Sequence, residues 1–538
     1  MRKETYENKL MDILKLSQFE KWVKPRKNSK DLIVKEEERI NDELLKLQSD
    51  GAISEELRSQ LKSKGGQPPR IYGLGKVHKA SIPVRPVLSM PGSPYYKIAS
   101  WVTKWLAAVP ESNCQSSSKK VADQLKDLNL DEDEVLVSFD VVSLYTFVPV
   151  HEAIKEAANR LYCGEFEVPP VSKETFIKLL QLSSTDVAMA THDGYYVQKD
   201  GLAMGSPPAP QLANIWLANK EAQIKDDAKL FERYMDDIIR TIKVEDIDDK
   251  LNEINNLHPN LKFTIEYEKD GKIPFLDMLL IHKENRIEST WYCKPTDTGL
   301  VMNFQALAPK RYKRGVVSGF VHRIHRACST WENFHTSMIK AKEILEKNQY
   351  PPPFYEDVIA KTLEKIVSPP QELHEQMSEN EENTNISKRH IVTMQFRGST
   401  TEQFVKKLKS CGAPVQVILT LRKLRSCLPS LKAPVEKLLK SDVVYKISCS
   451  HCKMCYVGKT SRHLATRYAE HRTHSNGPVV QHMKQCKIEV KDLDVEILKS
   501  VMKGGFELSV LEALFIRELK PALNTRDEYR DHELTIKI

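Results

Sequence analysis

Long hydrophobic runs are missing from this sequence of 538 residues. No stretch approaches 18 consecutive apolar residues, so a membrane-spanning helix is excluded. The N-terminus starts with charged residues and leads into no apolar segment, so we expect no secretory signal. No internal repeat of fixed period is present. These absences predict a globular protein without a membrane partner.

The composition that remains is that of a folded, multidomain chain. Hydrophobic residues make up 41% and charged residues 29%, and the length predicts two to four domains. The net charge of +8 favours a polyanionic partner only weakly. Ten cysteines without a secretory signal indicate thiols or metal ligands rather than a disulfide framework. Four of them cluster near the C-terminus, which marks that region for metal binding: Cys449, Cys452, Cys455 and Cys486.

Changes in sequence texture divide the chain into five segments. Residues 1–63 are charged and helical in pattern, and Gly and Pro residues follow them. Residues 70–368 alternate short apolar runs with helical patterns, which predicts an α+β fold. Residues 369–387 are polar and acidic, as in a solvated linker that lets its two sides fold separately. Residues 391–440 are basic and amphipathic, and residues 441–527 form a compact segment with cysteines and histidines.

Acidic residues interrupt two apolar, β-prone runs of the α+β segment. The run at residues 135–145 contains Asp140, and the run at residues 231–239 contains Asp236 and Asp237. Adjacent carboxylates at the centre of a strand repel each other, a cost that a divalent metal reverses. Two such strands brought together would make a hard oxygen site for Mg²⁺. The alternative is that these acids are solvent-facing turn residues, the usual situation of Asp.

Between these acids, a turn precedes a predicted helix. Met-Gly-Ser-Pro at residues 204–207 contains Gly205 and Ser206, and a helical pattern follows from Ala209. A glycine turn allows close approach of the backbone, and a helix N-terminus favours anions. Both features suit a nucleotide and its template base.

The order of these blocks resembles motifs A, B and C of reverse transcriptases. Motif A is Phe-Asp-Val-Val-Ser-Leu-Tyr at residues 139–145, motif B contains the Met-Gly-Ser-Pro turn, and motif C is Tyr-Met-Asp-Asp at residues 234–237. Further blocks resemble Penelope-like retroelement proteins specifically, and they lie at residues 70–79, 85–89, 274–277 and 292–296. The resemblance covers essentially the whole chain.

The resemblance implies a right-hand polymerase fold with fingers, palm and thumb, and it assigns roles by motif. Asp140 and Asp236 would ligate two Mg²⁺ ions, with Asp237 as the companion carboxylate. Tyr145 stands where reverse transcriptases carry the aromatic residue that excludes a ribose 2′-hydroxyl.

The remaining nucleotide contacts are implied in the same way. Lys79 and Arg85 would meet the triphosphate of the incoming dNTP, and Gly205 and Ser206 would approach the nucleotide. For Lys79 and Arg85 the alternative is that they are ordinary surface cations.

A second set of polar residues lies on β-prone and helical sequence near the C-terminus: Tyr445, Tyr456, Arg467, His471, Glu512 and Asn524. Taken singly, each is explained by surface or core packing. As a set they resemble the small α/β GIY-YIG nuclease fold, which Penelope-like proteins carry at this position. Glu512 would then hold one Mg²⁺ and Arg467 would neutralise the scissile phosphate. The two tyrosines and His471 would position or deprotonate the attacking water, and Asn524 would orient the site.

The clustered cysteines predict a closed, structural zinc site in the same segment. Cys449 and Cys452 form a Cys-x₂-Cys knuckle, and His482 and Cys486 follow at helical spacing. Cys452 and Cys455 also have the Cys-x₂-Cys spacing, so the sequence leaves the choice of knuckle open.

Two basic segments predict contacts with nucleic acid. Residues 310–314 (Lys-Arg-Tyr-Lys-Arg) precede a helix with Arg323, His325 and Arg326, and cations of this kind suit the phosphates of a duplex. A nuclear localisation signal and a merely solvated face are the alternatives. Residues 405–440 would steer target DNA towards the nuclease.

The leading hypothesis is a retroelement RNA-directed DNA polymerase coupled to a DNA-nicking endonuclease. It would carry out target-primed reverse transcription with an RNA template, a DNA primer, target DNA and dNTPs, and we infer nuclear localisation from the chromosomal substrate. The alternatives are a host-adopted, telomerase-like polymerase and an inactive nucleic-acid-binding relic. The sequence does not determine the oligomeric state. The sequence predicts five domains or segments. They are a helical N-terminal extension (1–63), the fingers and palm of the reverse transcriptase (64–285), the thumb (286–368), a linker with a basic segment (369–440) and the GIY-YIG endonuclease (441–530).

Overall fold

A computed structural model gives the fold of most of the chain. The structure describes residues 2–23, 31–76, 81–110, 117–126, 128–225, 228–284, 286–368, 390–412, 415–421, 423, 427–428, 430–473, 477–501 and 505–524. The predicted acidic linker at residues 369–387 lies outside these residues. Among the helices described, none combines the length and the apolar character needed to cross a membrane.

Helices and strands alternate along the chain. The helices are α1 (Lys3–Leu14), α2 (Leu32–Ser49), α3 (Glu55–Leu61), α4 (Tyr96–Leu106), α5 (Ser118–Leu125), α6 (Leu144–Phe147), α7 (Val150–Cys163), α8 (Lys173–Ser184), α9 (Ala209–Glu221), α10 (Ile247–Asn256), α11 (Lys310–Ala327), α12 (Trp331–Lys347), α13 (Pro352–Val367), α14 (Ser399–Ser410), α15 (Leu464–Thr473), α16 (Pro478–Cys486) and α17 (Phe506–Leu519). The strands are β1 (Phe19–Trp22), β2 (Arg70–Gly75), β3 (Val84–Ser89), β4 (Glu134–Val141), β5 (Val187–Thr191), β6 (Gly194–Gln198), β7 (Phe231–Tyr234), β8 (Asp237–Lys243), β9 (Phe263–Tyr267), β10 (Lys272–Phe275), β11 (Met278–Lys283), β12 (Arg286–Trp291), β13 (His390–Gln395), β14 (Val415–Thr420), β15 (Val443–Cys449), β16 (Cys455–Thr460) and β17 (Leu493–Ser500).

The chain divides into two compact units. Unit A comprises Met1–Asn113, Ser143–Lys220 and Leu431–Ile538, and unit B comprises Cys114–Val142 and Glu221–Ser430. Strands pair mostly antiparallel in both units, so the α+β class predicted from the sequence is the class observed.

A five-stranded sheet of order β1-β6-β5-β2-β3 is the centre of the N-terminal part of unit A. Strand β1 lies in the segment for which the sequence pattern predicts only helix, and it pairs antiparallel with β6 from Phe19↔Gln198 to Trp22↔Tyr195. The pattern misses β1 because a four-residue edge strand is too short to show an alternation of apolar residues.

The C-terminal part of unit A is a three-stranded sheet of order β16-β15-β17. It packs against the N-terminal segment of the same unit through His463, whose side chain is buried. The His463 Nε2 group donates a hydrogen bond to the Gly66 carbonyl oxygen at 2.8 Å, and its Nδ1 atom lies 3.6 Å from the Glu37 carboxylate. These contacts join segments that the sequence texture assigns to different domains.

The central sheet of unit B has the order β7-β8-β4-β9 and is antiparallel throughout. The first part of the apolar run at residues 135–145 is β4, and the run does not stay extended beyond Val141. Ser143 adopts a left-handed backbone conformation (φ 51°), which ends the extended segment and starts α6. Strand β4 therefore ends just after Asp140, which places this carboxylate at the C-terminal end of an interior strand between β8 and β9.

The remainder of unit B packs helices α11, α12 and α13 with the antiparallel sheet β10-β11-β12 around one apolar core. Buried members of this core include Trp291, Val321, Ile324, Met338 and Leu345. Strands β13 and β14 form a separate parallel pair.

Candidate active sites

A tight hairpin carries the paired acids of unit B. Strands β7 and β8 pair up to Tyr234↔Asp237, so Met235 and Asp236 alone form the turn between them. Met235 has a left-handed backbone conformation (φ 58°), which costs a non-glycine residue about 1–3 kcal/mol. The sequence prediction that both acids lie at the centre of a strand is therefore wrong. The run is split by a turn, so neither carboxylate has to point into the core.

The Arg233 side chain stabilises this turn by a hydrogen bond to its backbone. Its Nη1 group donates a hydrogen bond to the Met235 carbonyl oxygen at 3.0 Å, and its side chain forms an ion pair with Glu221. Both side chains are almost completely buried, at 9% and 12% exposure. Burial raises the pKa of Glu221 although the Arg233 charge opposes it. Since a buried guanidinium left without its partner is costly, Glu221 and Arg233 fix the turn as a pair.

The hairpin brings three carboxylates together. Asp140 on β4 is the register partner of Asp237 on β8, and the Val141 amide donates a hydrogen bond to the Asp236 carbonyl oxygen at 3.0 Å. One carboxylate oxygen from each of the three acids lies within 4.8 Å of the others. Three negative charges this close repel one another, and an oxygen-only donor set of this charge suits Mg²⁺. The residues present therefore fit the divalent metal that the sequence predicts.

The predicted nucleotide-binding turn lies in unit A, and glycine is required in it. Gly205 has φ +108°, and a Cβ atom there would lie 2.2 Å from the Leu88 carbonyl oxygen. The Leu88 amide donates a hydrogen bond to the Met204 carbonyl oxygen at 2.7 Å, which fixes the turn against β3. Ser206 is buried, and α9 begins at Ala209 as the sequence predicts.

Two of the other predicted nucleotide contacts, Tyr145 and Arg85, are among the described residues, and both belong to unit A. Tyr145 is half-buried and lines a narrow recess with Leu88 and Leu202, and its carbonyl oxygen accepts a hydrogen bond from the Leu202 amide at 2.7 Å. Arg85 is exposed on β3. Lys79 lies outside the described residues, so its predicted role stays a prediction.

A network of buried aromatic and basic side chains occupies the C-terminal part of unit A. The Tyr445 hydroxyl lies 2.6 Å from His471 Nε2, and the Tyr456 and His471 rings are 4.9 Å apart. A Cβ atom on Gly458 would lie 2.8 Å from the Tyr445 hydroxyl, so only glycine lets the two tyrosines share this site. Burial raises the pKa of Tyr445 to about 12, and Arg467 partly offsets this effect. Tyr445 is therefore a neutral hydrogen-bonding group near neutral pH.

Glu512 and Asn524 differ in how they relate to this network. Glu512 on α17 is close enough to contribute to the raised pKa of Tyr445, and its Oε2 atom lies 3.1 Å from Lys459 Nζ. Asn524 bonds to the backbone of β16. Its side-chain amide accepts from the Val457 amide and donates to the Val457 carbonyl, each at 2.8 Å. Asn524 therefore ties the C-terminal segment to β16, beside Tyr456.

Three thiols and an imidazole lie close together at the turn of the β15–β16 hairpin. The ligand atoms of Cys449, Cys452, His482 and Cys486 lie within 4.8 Å of one another, and Cys455 is not in the group. Burial acts to raise the pKa of Cys449, but hydrogen bonds from the Cys452 and His451 backbone and from His482 outweigh it and lower this pKa to about 6. Burial and the neighbouring Cys449 and Cys452 groups raise the pKa of Cys486 to about 11. A set of three sulfur atoms and one imidazole nitrogen fits a structural zinc ion, which would deprotonate the thiols on binding.

Sequence patterns missed several partners of these sites. Glu221 and Arg233 hold the acidic turn, Lys459 pairs with Glu512, and Glu470 accepts a hydrogen bond from Arg467 at 3.0 Å. The i, i+3 spacing of Arg467 and Glu470 is the one available signal, because such pairs face each other on a helix.

Comparisons with known proteins identify the segment that contains the three carboxylates. Residues 77–272 match the family described as reverse transcriptase (RNA-dependent DNA polymerase), and residues 300–360 match the animal helix-turn-helix domain. The first match contains Asp140, Asp236 and Asp237. The chain therefore contains a reverse transcriptase domain, with α and β elements mixed as in polymerases of this type. No curated protein sequence matches the chain.

Solved polymerase structures show only a distant likeness. A telomerase from Candida albicans in complex with a fragment of telomeric RNA is 13% identical, with a TM-score of 0.42 over 66% of this chain. The Sicinivirus 3Dpol RNA-dependent RNA polymerase is 13% identical, with a TM-score of 0.37 over 58% of this chain and 71% of its own. The chain spans 59% of the Candida albicans structure.

Proposed function

We propose that this protein is a retroelement RNA-directed DNA polymerase of the Penelope-like kind, joined to a GIY-YIG DNA-nicking endonuclease. The observation that carries the polymerase part is the approach of three carboxylates to within 4.8 Å inside the segment that matches reverse transcriptases. The Penelope-like part rests on the motif blocks of the sequence. The work of such a protein is target-primed reverse transcription in the nucleus, in which a nicked target supplies the primer.

In the polymerase site, Asp140 and Asp236 would hold two Mg²⁺ ions, with Asp237 as the companion carboxylate. Ions held by these residues would lower the pKa of the primer 3′-hydroxyl and stabilise the departing pyrophosphate. The chain supplies the geometry: the Met235–Asp236 turn is fixed by Arg233, and Asp140 is fixed by its register with Asp237. Arg85 and Lys79 would bind the triphosphate, and Gly205 and Ser206 would approach the nucleotide.

Primer extension with altered Tyr145 tests the polymerase proposal and its sugar selectivity together. The wild-type chain should extend a DNA primer on an RNA template with dNTPs and reject ribonucleotides. Tyr145→Ala should keep DNA synthesis and accept ribonucleotides at least tenfold better, because the ring that blocks the 2′-hydroxyl is gone. Tyr145→Phe, which keeps the ring, is the control and should retain the rejection. Unchanged ribonucleotide use by Tyr145→Ala would show that Tyr145 only packs.

In the nuclease site, Glu512 would hold one divalent metal and Arg467 would neutralise the scissile phosphate. The short contact between Tyr445 and His471 supports a role for both in handling the proton of the attacking water. Tyr456 packs on His471 and limits its movement. The Glu512 Oε2 atom lies 3.1 Å from Lys459 Nζ, so a bound metal ion would share this carboxylate with an ammonium group. The three thiols and the imidazole of the cysteine–histidine cluster would hold a zinc ion that stabilises the nuclease domain.

Glu512→Gln should remove the nicking of supercoiled DNA in Mg²⁺, because the amide keeps the volume of the side chain but loses the charge that binds metal. Extension of a supplied primer by the same variant should stay within twofold of wild type. Glu518→Gln, on the same helix, is the matched control and should nick normally. Loss of primer extension in Glu512→Gln would contradict the proposal that nicking and primer extension use separate active sites. A wild-type chain that extends primers but never nicks would favour the telomerase-like alternative.

A further inference from the structure

A concave surface in unit B lies apart from the two candidate active sites, although it includes His325 and Arg326 of the basic segment named in the sequence analysis. It is a cleft of about 400 Å³ between α5 and the turn that joins α11 to α12. Residues from the start and end of α5 form one wall, and His325, Arg326 and Trp331 form the other. Asp140, Asp236 and Asp237 do not line it.

Positive charge dominates the cleft. Lys119, Lys126 and Arg326 line it, and the acid among the lining residues, Asp123, is paired with Lys126 at 2.6 Å. The three cations and one acid leave a net charge of +2. Burial lowers the pKa of His325, and the charges of the surrounding cations lower it further. The interior of the cleft therefore carries a positive potential that favours an anion.

A tryptophan at the rim of the cleft is unusually exposed. Trp331 is the first residue of α12 and is 62% exposed, although indole rings usually bury most of their surface. The Phe334 ring meets the indole edge-on at 5.3 Å, and the His325 ring lies 6.1 Å away. These neighbours hold the ring in place while much of its surface stays open. A fixed, exposed indole beside cations is the arrangement on which a nucleic-acid base can stack.

We propose that this cleft binds single-stranded nucleic acid, with one base stacked on Trp331 and flanking phosphates on Lys119, Lys126 and Arg326. A duplex keeps its bases stacked on one another and offers none to the indole, whereas an unpaired strand exposes the flat face of every base. The volume is at the lower end of the range of about 300–1,000 Å³ that ligand pockets occupy, which suits one nucleotide. The site lies outside the proposed polymerase centre, so it extends the proposed function.

Equilibrium binding to labelled oligonucleotides tests this site in the full-length protein. The probes are a 12-nucleotide oligouridine, a 12-nucleotide oligothymidine and a 12-base-pair duplex, without dNTPs or divalent metal. Trp331→Ala should weaken binding of the single strands by about 5- to 140-fold, because stacking contributes about 1–3 kcal/mol per base, and should leave duplex binding within twofold. Ile339→Ala, an exposed apolar residue of the same helix outside the cleft, is the control and should bind normally.

The salt dependence of binding separates phosphate contacts from structural damage. Lys119→Gln and Arg326→Gln should each reduce the slope of log Kd against log salt by about 0.7 for single strands. If oligouridine binds more tightly than oligothymidine, the occupant is an unpaired RNA template. If oligothymidine binds more tightly, the occupant is a displaced DNA strand. Either result supports the site. Equal loss of duplex and single-strand binding in Trp331→Ala, or no loss at all, would overturn the proposal. Because no synthesis is measured, neither result depends on polymerase activity.

Discussion

Asp236→Asn should reduce primer extension on an RNA template by about 10³-fold or more. The amide keeps the size of the side chain but removes a charge from the three-carboxylate site, and metal ions contribute several kcal/mol to stabilising the transition state. A loss of about 4 kcal/mol corresponds to about 10³-fold in rate. Asp140→Asn should have the same effect, since its oxygen belongs to the same cluster. Incorporation of labelled dNTP under single-turnover conditions measures both.

Two controls separate this loss from general damage. Glu245→Gln changes an exposed acid of the same unit, just after β8, and should extend primers normally. Binding of the primer–template by Asp236→Asn should remain within a few-fold of wild type, because we propose that the cluster binds metal rather than nucleic acid. Normal incorporation by Asp236→Asn or Asp140→Asn would refute the assignment of the site.

Cys452→Ser should release one zinc ion per chain and unfold the C-terminal part of unit A. Metal binding to a closed site of this type contributes about 10–16 kcal/mol in isolated zinc-finger peptides, which is comparable to the stability of a whole domain. Elemental analysis measures the metal, and limited proteolysis measures the unfolding of residues 441–527. Cys449→Ser should behave in the same way, because Cys449 and Cys452 belong to one ligand group.

Cys455→Ser is the matched control for the zinc site. Cys455 lies on β16 opposite Ser448 and outside the ligand group, so its loss should change neither zinc content nor proteolysis. Zinc loss from Cys455→Ser equal to that from Cys449→Ser would mean that the other Cys-x₂-Cys pair binds the metal.

Local patterns predicted the elements that carry the C-terminal residues. The β-prone stretches around Tyr445 and Tyr456 are β15 and β16, and the i, i+4 spacing of Arg467 and His471 is realised on α15. The glycine turn before α9 was also predicted correctly. These features depend on residues close in the chain, so a single sequence contains the necessary information.

Features that depend on distant residues were not predictable in this way. The two Cys-x₂-Cys spacings are equivalent in the sequence, whereas in the structure Cys455 pairs with Ser448 on β15 and lies outside the ligand group. The split of the second acidic run by a turn at Met235 depends on Arg233, and Arg233 in turn depends on Glu221. The packing of His463 against Gly66 joins residues almost 400 positions apart.

Joint synthesis and nicking on one DNA molecule tests the proposed function most directly. The wild-type chain is incubated with supercoiled DNA, an RNA template, labelled dNTPs and Mg²⁺, and label joined covalently to the circular DNA is measured. We predict labelling by wild type, none by Asp236→Asn, and none by Glu512→Gln unless the DNA already carries a nick with a free 3′-hydroxyl. Labelling of intact circles by Glu512→Gln at the wild-type rate would contradict the account, because the primer would then not come from this nuclease site.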